Sequence, residues 1–310
     1  MYEIPLTGLY ASNPLGAMAA FGLLRVLSEM DRFHDSRLSW HETDDWQALL
    51  HTSSEITRAS LVDSLAERQE HLDLSFLSWS DDIRVQPEVF LELLTQRSFA
   101  ATSGDRADAD RFVAYGSELV CDGSKNLVKP TAFHLTSGQQ KFMKTLRKLA
   151  DDLCRNRTAA FEEALFGPWN YRDKHHSLGW DPNTERMAAL RHTAPTKEEP
   201  HSVRAAVWLA FEALSLYPTA AIETWQGARL QTTGILQQQG AWTFRWPVWQ
   251  VPLALPTLKS LLASPWFSDA SLDAHRLTRR GISAVFESVV YRFGQGYGIL
   301  RPARMVCRTS

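Results

Sequence analysis

The sequence predicts an α+β fold that is rich in helices and carries small antiparallel sheets. Three observations support this prediction: long segments have helical periodicity, short strand-like segments lie apart from each other, and strands and helices do not alternate regularly. Of the 310 residues, 44% are hydrophobic and 22% are charged, which is typical of a folded globular protein. No internal repeat or low-complexity tract is present.

The N-terminal segment predicts a short strand followed by a long helix. Residues 2–9 have a strand-like pattern, and the helix is expected over 14–30. Asn13 is a favourable helix cap, and Pro14 suits the first helical position. Glycine and alanine leave the first half of this helix nearly bare of side chains, so another segment can approach it closely. We therefore expect a buried core helix.

The remaining elements are predicted from the same patterns. Before residue 122 they are a strand at 38–41, a helix from Asp44 to Leu50, helices at 55–70 and 82–97, and a polar loop at 103–111. Later in the chain they are an aromatic loop at 169–180, an exposed connector at 192–200, a buried helix at 202–217, a hairpin of 229–235 with 241–246, and helices at 258–262 and 276–290.

The segment 139–155 predicts a basic amphipathic helix. At about 100° per residue, two opposite faces separate. The apolar face carries Phe142, Leu146, Leu149 and Leu153. The basic face carries Lys141, Lys144, Lys148 and Arg155, with Arg147 beside them. Cations at this spacing suit a phosphate backbone, so we predict that these five residues bind nucleic acid.

Charge is distributed unevenly along the chain, although the net charge is only −2. Residues 1–122 contain 21 acidic and 9 basic side chains (−12), and residues 123–310 contain 14 acidic and 24 basic side chains (+10). We therefore describe an acidic N-terminal part and a basic α+β part, which are either separate or one continuous domain. The basic part is expected to face an anionic partner, unless the two parts neutralise each other across their interface.

A second basic cluster is expected near the C-terminus. From residue 279 onward the arginines face a single acidic residue, Glu287. Aromatic residues and glycines are interspersed there, which suits base stacking. The arginines predicted to form this second nucleic-acid contact are Arg279, Arg280, Arg301 and Arg304.

The sequence predicts no enzymatic activity, no cofactor and no metal. It contains no GxxxxGK[ST] phosphate-binding loop, no GxGxxG between a strand and a helix, and no GxSxG nucleophile motif. One alternative remains, a metal-dependent nuclease, because carboxylate and imidazole ligands suit Mg²⁺ or Mn²⁺. Its candidate ligands are His175, His176, Asp181 and Glu185.

The cysteines and the apolar segments predict a cytoplasmic protein without a membrane segment. The three cysteines are dispersed and form no CxxC, so a cysteine zinc site is excluded. No run of eighteen apolar residues occurs, and Arg25 interrupts the apolar stretch from Leu15 to Leu27, which does not resemble a signal peptide.

Several segments resemble the large-subunit-type proteins of type I CRISPR interference (Cascade) complexes, most closely the subtype I-G group, formerly I-U. The segment GLYASNPLGAMAAFGLLRVL, at 8–27, is similar to their opening strand and small-residue helix. Four more segments resemble that group: 134–149, 178–191, 206–219 and 242–253. None of them contains a catalytic signature.

This resemblance implies a non-catalytic subunit of an antiviral ribonucleoprotein. Such a subunit contacts guide RNA and target DNA, recognises the motif that flanks the target, and assembles with other CRISPR effector subunits. Cleavage belongs to a helicase–nuclease recruited in trans. The chain is short for a large subunit. A further alternative is a protein-only scaffold whose acidic first part docks a basic partner.

Overall fold

The computed structural model describes residues 1–104, 106–123, 125–136, 140–184, 201–238, 240–265, 271–292 and 297–309. Within these residues the chain is a mixture of helices and small sheets, and every strand pair is antiparallel. The predicted α+β fold class is therefore confirmed. In the described part of the chain, no helix combines the length and the apolar character needed to cross a bilayer.

The helices and strands have the following bounds. The helices are α1 (Pro14–Ser28), α2 (Arg58–His71), α3 (Pro87–Thr102), α4 (Ala107–Phe112), α5 (Phe142–Leu153), α6 (Arg157–Phe166), α7 (Arg204–Glu212), α8 (Leu255–Leu262) and α9 (Ala274–Thr278). The strands are β1 (Tyr2–Tyr10), β2 (Arg37–Glu42), β3 (Trp46–Thr52), β4 (Gly116–Asp122), β5 (Leu127–Pro130), β6 (Thr219–Thr224), β7 (Gly227–Thr232), β8 (Ile235–Gln238), β9 (Ala241–Trp249), β10 (Leu253–Ala254), β11 (Ile282–Arg292), β12 (Gly298–Leu300) and β13 (Arg304–Arg308).

Two larger sheets and two hairpins organise these strands. The first sheet has the order β1-β3-β2-β10, so a short strand from the later part of the chain completes a sheet that begins at the N-terminus. The second sheet has the order β12-β11-β9-β8, and β13 also pairs with β11. The strands β4 and β5 form one separate hairpin, and β6 and β7 form the other.

Helix α1 is the centre of the core, as its small residues predict. The side chain of Asn13 accepts hydrogen bonds from the backbone N–H of Leu15 (2.9 Å) and Gly16 (3.4 Å), which caps the helix. Every residue from Pro14 to Leu27 is buried. Gly22 lies directly against the carbonyl group of Leu209 in α7, where no side chain would fit.

One hydrophobic core connects the two parts of the chain. It contains residues from α1 and from α7, which pack against each other. The indole N–H of Trp249 donates to the carbonyl of Leu38 (2.7 Å), and that of Trp246 donates to the carbonyl of Ala11 (3.1 Å). Buried indole groups thus satisfy backbone acceptors across a long sequence separation.

Two predicted helices are wrong, because the residues form strands. The segment from Asp44 to Leu50 contributes to β3, which pairs with β1 on one side and β2 on the other. The segment 276–290 contains only the end of α9, and most of it is β11, the central strand of the second sheet. Its run of β-branched and aromatic residues suits a strand that is paired on both sides.

Two further predictions need correction, and one falls outside the described residues. The polar segment 103–111 overlaps the short helix α4. A hairpin does form between β8 and β9, but residues 229–232 belong to β7 and pair with β6 instead. The predicted connector at 192–200 lies outside the described residues.

Candidate nucleic-acid interface

Helix α5 has the two faces that its sequence predicts. The apolar stripe of Phe142, Leu146, Leu149 and Leu153 is buried in the core. Lys141, at the N-cap position, and Lys144 and Lys148 are exposed on the opposite face. We call these three residues the lysine ridge. At 1.5 Å per residue the ridge spans about 10 Å along the helix axis.

The lysine ridge has an uncompensated positive charge. Among the described residues, no carboxylate lies within 4.0 Å of Lys141, Lys144 or Lys148. The first turn of α5 contains no acidic residue, so the positive end of the helix dipole adds to the charge of the lysines. Cations at a helix N-terminus lower stability, because the positive end of the helix dipole repels them. An anionic ligand would relieve this repulsion.

The other two cations predicted on α5 are already engaged. Arg147 donates to the carbonyl oxygens of Leu77 and Ser80, each at 2.7 Å, and pairs with the carboxylate of Asp81. It therefore holds a neighbouring loop and does not belong to the ridge. Arg155 lies 3.3 Å from the carboxylate of Asp152. The C-terminal end of α5 is thus partly neutralised.

Part of the charge asymmetry is also neutralised within the chain. Cations of the basic part pair with carboxylates of the acidic part at several places on the surface. These pairs are Arg147–Asp81, Arg157–Glu70, Lys259–Asp110 and Arg308–Glu42. The acidic and basic parts therefore do neutralise each other in part across their interface. This neutralisation does not extend to the lysine ridge.

The structure separates the four arginines predicted to form a second contact, Arg279, Arg280, Arg301 and Arg304. The first two are exposed at the turn before β11, and the last two lie beside its second half. At about 3.3 Å per residue, these positions are about 25 Å apart. One nitrogen of Arg304 is 3.5 Å from the Glu287 carboxylate, and the guanidinium of Arg301 lies 4.3 Å from the ring centroid of Tyr291.

A different basic cleft forms where distant segments meet. It has a volume of about 390 Å³. Its chemistry is set by Arg84, Asp122, Lys129, His134, Trp242 and Arg292. Lys129 Nζ lies 5.8 Å from the ring centroid of Trp242, and the guanidinium carbon of Arg292 lies 5.5 Å from it. We call this site the Trp242 cleft.

The Trp242 cleft adjoins the first turn of α5. The ring of Phe142 stacks on His134 with centroids 5.2 Å apart. His134 lies 3.2 Å from the guanidinium of Arg84, and its Nε2 lies 2.7 Å from the Asp82 carboxylate. Burial would raise the pKa of Asp82, but the hydrogen bond and charge of His134 and the charge of Arg84 outweigh burial and lower it. The ionised Asp82 therefore holds both His134 and Arg84 in place.

The residues of the alternative metal site do not converge. His175 lies 2.9 Å from Asp152, whereas the buried Asp181 accepts hydrogen bonds from the backbone of Asn183 and the side chain of Asn13. Glu185 is outside the described residues. His176 accepts from the backbone N–H of Leu178. Within the described chain, no group of three metal-ligating side chains is present.

The structure also aligns Ser39, His51 and Glu3 across three neighbouring strands. The Oγ of Ser39 is 2.7 Å from Nε2 of His51, whose Nδ1 is 3.2 Å from the carboxylate of Glu3. This is the order of a nucleophile, a base and an orienting acid. However, Ser39 is 2% exposed and His51 is 3% exposed. A substrate cannot reach the hydroxyl, so the arrangement stabilises buried polar groups.

The chain has no counterpart among the proteins with which it was compared. No family model, no curated protein and no solved structure matches it. The lysine ridge and the Trp242 cleft are therefore the features whose geometry bears on function. The spacing of the lysines predicts the ridge, whereas no local pattern indicates Arg84, Lys129 or Trp242, because these residues come from separate segments.

Proposed function

We propose that this chain is a non-catalytic subunit that binds nucleic acid within a CRISPR effector ribonucleoprotein. The observation that carries nucleic-acid binding is the lysine ridge, whose three ammonium groups are exposed and have no carboxylate partner among the described residues. The choice of assembly rests on the resemblance of five sequence segments to CRISPR large-subunit-type proteins. Guide RNA and target DNA are the proposed ligands.

The physical basis of this proposal is the release of counterions from a polyanion. Each phosphate that a lysine neutralises releases condensed cations, so the affinity falls with salt in proportion to the number of contacts. Exposed lysines lose little hydration when they meet a phosphate at the surface. They carry no sequence information, so the ridge is proposed to hold a strand without reading it.

Exposed apolar side chains support the proposal that the chain is one subunit of an assembly. Phe99, on α3, is 75% exposed, and Leu119, on the nearby strand β4, is 67% exposed. Val89 and Leu91 on α3 are also exposed, on either side of the buried Phe90. Exposed aromatic and apolar side chains are typical of protein–protein contacts. Another effector subunit is the proposed partner at this surface.

The decisive experiment reverses the charge of the ridge. We expect the double variant Lys144→Glu/Lys148→Glu to bind labelled single-stranded RNA and DNA about tenfold or more weakly than the original chain. Two lost phosphate contacts should also lower the slope of log K against log salt by about 1.4 to 1.8. Fluorescence anisotropy over a range of salt concentrations measures both quantities.

A matched control separates the ridge from net charge. The double variant Arg37→Glu/Arg276→Glu makes the same change in net charge at two exposed residues outside the ridge. We expect this control to lose much less affinity and to keep its salt slope. Equal losses in the two double variants, or an unchanged slope in the ridge variant, would refute the proposal.

A further inference from the structure

We propose that the Trp242 cleft binds one unpaired nucleotide of a single strand, with the base against the indole and the phosphate among the surrounding cations. This inference rests on the proposed function, because it assumes that a nucleic-acid strand lies along the lysine ridge. It goes further in naming the structural state of the ligand, an unstacked nucleotide. The rigidity of the indole, the size of the cavity, the charge of its walls and its position beside the first turn of α5 support this inference.

Trp242 is held as a fixed platform. It is the second residue of β9, and it pairs with Gln237 of β8 on one side and with Val290 of β11 on the other. Its side chain is partly exposed and separates the 390 Å³ cavity from a smaller one of about 180 Å³. A half-exposed indole on a doubly paired strand offers a stacking surface that needs little ordering when a base arrives.

The cavity has the size of a small ligand. Its volume of about 390 Å³ lies at the lower end of the range for small-molecule sites in proteins. The two cations near the indole lie 5.5 and 5.8 Å from its centroid, which is farther than the contact distance of stacked groups. Both cations lie over the ring, so a base that stacks on the indole would take their place and bring its phosphate against them.

The walls of the cleft carry like charges that an anion would bridge. Burial, and then the charge of Arg84, lower the pKa of Arg292, and both residues line the cleft. Lys129 adds a third cation. Two acidic residues described at or near the cleft are Asp82, which pairs with Arg84 and His134, and Asp122, which is exposed at the rim. A phosphate among the three cations would relieve their repulsion.

The position of the indole in the wall of a cavity favours an unstacked base as the ligand. In a duplex both faces of each base are covered by neighbours, so only an unstacked base can lie against an aromatic side chain in a cavity. The first turn of α5 adjoins the cleft, because Phe142 stacks on His134 and His134 lies beside Arg84. A single strand that continues beyond the N-terminal end of the ridge would therefore pass close to the cleft.

The test uses mixed-sequence oligonucleotides in single-stranded and duplex form, each with one 2-aminopurine. We expect Trp242→Leu to weaken single-strand binding about 10-fold to 100-fold, the loss of one base–aromatic stack. Duplex binding should change by less than about twofold, and Trp242→Phe should retain most of the affinity. The 2-aminopurine fluorescence should be quenched by the original chain and much less by Trp242→Leu.

Two control variants keep the result interpretable. Trp225→Leu removes an indole that is 91% exposed at the turn between β6 and β7, and it should bind as the original chain does. Arg292→Gln replaces an exposed residue at the end of β11 that lines the cleft, so it tests the charge of the cleft while Trp242 itself is kept. It should lower the salt slope for single strands by about 0.7, the value for one phosphate contact.

The outcomes separate this inference from the proposed function. One outcome is that the salt dependence of single-strand binding depends on the lysine ridge, but neither Trp242→Leu nor Arg292→Gln changes binding. In that case the cleft inference is overturned and the proposed function stands. Loss of duplex and single-strand binding to the same extent in Trp242→Leu would also overturn it. If the original chain binds no nucleic acid at all, both are refuted.

Discussion

Glu212 is the residue on which the most buried charges depend. It is fully buried at the end of α7, where its carboxylate pairs with Arg25 of α1, Arg111 of α4 and Arg68 of α2. Arg111 and Arg68 lie 3.2 and 3.4 Å away. Removing one member of a buried ionic network costs several kcal/mol, because the remaining charges lose their partner. Three helices are thus held by one carboxylate.

The acid stability of the protein should report on this carboxylate. Burial alone would raise the pKa of Glu212, but the guanidinium groups of Arg25, Arg111 and Arg68 outweigh it and lower the pKa from 4.5 to about 2. Folding therefore favours the ionised form. Its contribution to the free energy of unfolding is complete above pH 4.5 and is lost as the pH falls through about 2. The two pKa values correspond to about 3 kcal/mol.

Urea unfolding of Glu212→Gln as a function of pH measures this contribution. We expect the variant to be about 3 to 5 kcal/mol less stable at neutral pH, with the difference from the original chain shrinking below pH 4.5. Glu223→Gln, on the exposed side of β6, is the matched control and should behave as the original chain does. A variant whose stability falls with acid in parallel with the original chain would contradict the expectation.

At the scale of elements, helices α1 and α7 approach each other very closely at Gly22. A Cβ added at Gly22 would lie 1.7 Å from the carbonyl oxygen of Leu209, which is backbone and cannot turn aside. Alanine normally stabilises a helix interior by about 1 kcal/mol relative to glycine. At Gly22 alanine should instead destabilise the protein. We expect Gly22→Ala to lower the free energy of unfolding by about 3 kcal/mol or more.

The control for this prediction is a glycine with open space around it. A Cβ at Gly123 would meet no atom within 4 Å, so Gly123→Ala should change stability by less than about 0.5 kcal/mol. Thermal and urea unfolding of both variants provide the comparison. If Gly22→Ala proved as stable as the original chain, helices α1 and α7 would have to be farther apart than described.

The elements that sequence reasoning predicts well are those with a long local signal. Helix α5 has apolar residues at regular spacing, and α1 has both a capping asparagine and a proline at its first position. The local pattern of the segments β3 and β11 predicts helices instead of strands, because short apolar runs fit either periodicity. Their strand pairing depends on partners distant in sequence, such as β9 for β11, which local patterns do not reveal.

The candidate site likewise has one part that local sequence patterns predict and one part that they do not. The lysine ridge lies within one helix, so its spacing was visible in the sequence. The Trp242 cleft joins the segment before α3 with β5, β9 and the end of β11, and only the folded chain brings these together. Arg147 shows the opposite case: its helical position suggested an exposed face, but carbonyl groups of a distant loop bind its guanidinium.

At the scale of the whole molecule, the acidic and basic parts depend on each other for their cores. The strand β2 pairs with β10, and α1 is covered by α7. The buried Glu212 belongs to the basic part, whereas its three partner arginines belong to the acidic part. Separation would expose the apolar surface of α1 and leave a buried carboxylate without cations.

We therefore expect neither fragment 1–122 nor fragment 123–310 to unfold cooperatively when expressed alone. Calorimetry should show one transition for the whole chain and none for either piece, because each fragment loses the partner that buries its apolar surface. Mixing or co-expressing the fragments should restore a transition, since their opposite net charges favour association. A fragment that alone gave a sharp transition and native near-ultraviolet circular dichroism would show that the core divides. The cleft, whose Arg84 comes from one fragment and whose Trp242 comes from the other, should bind single strands only after the fragments reassociate.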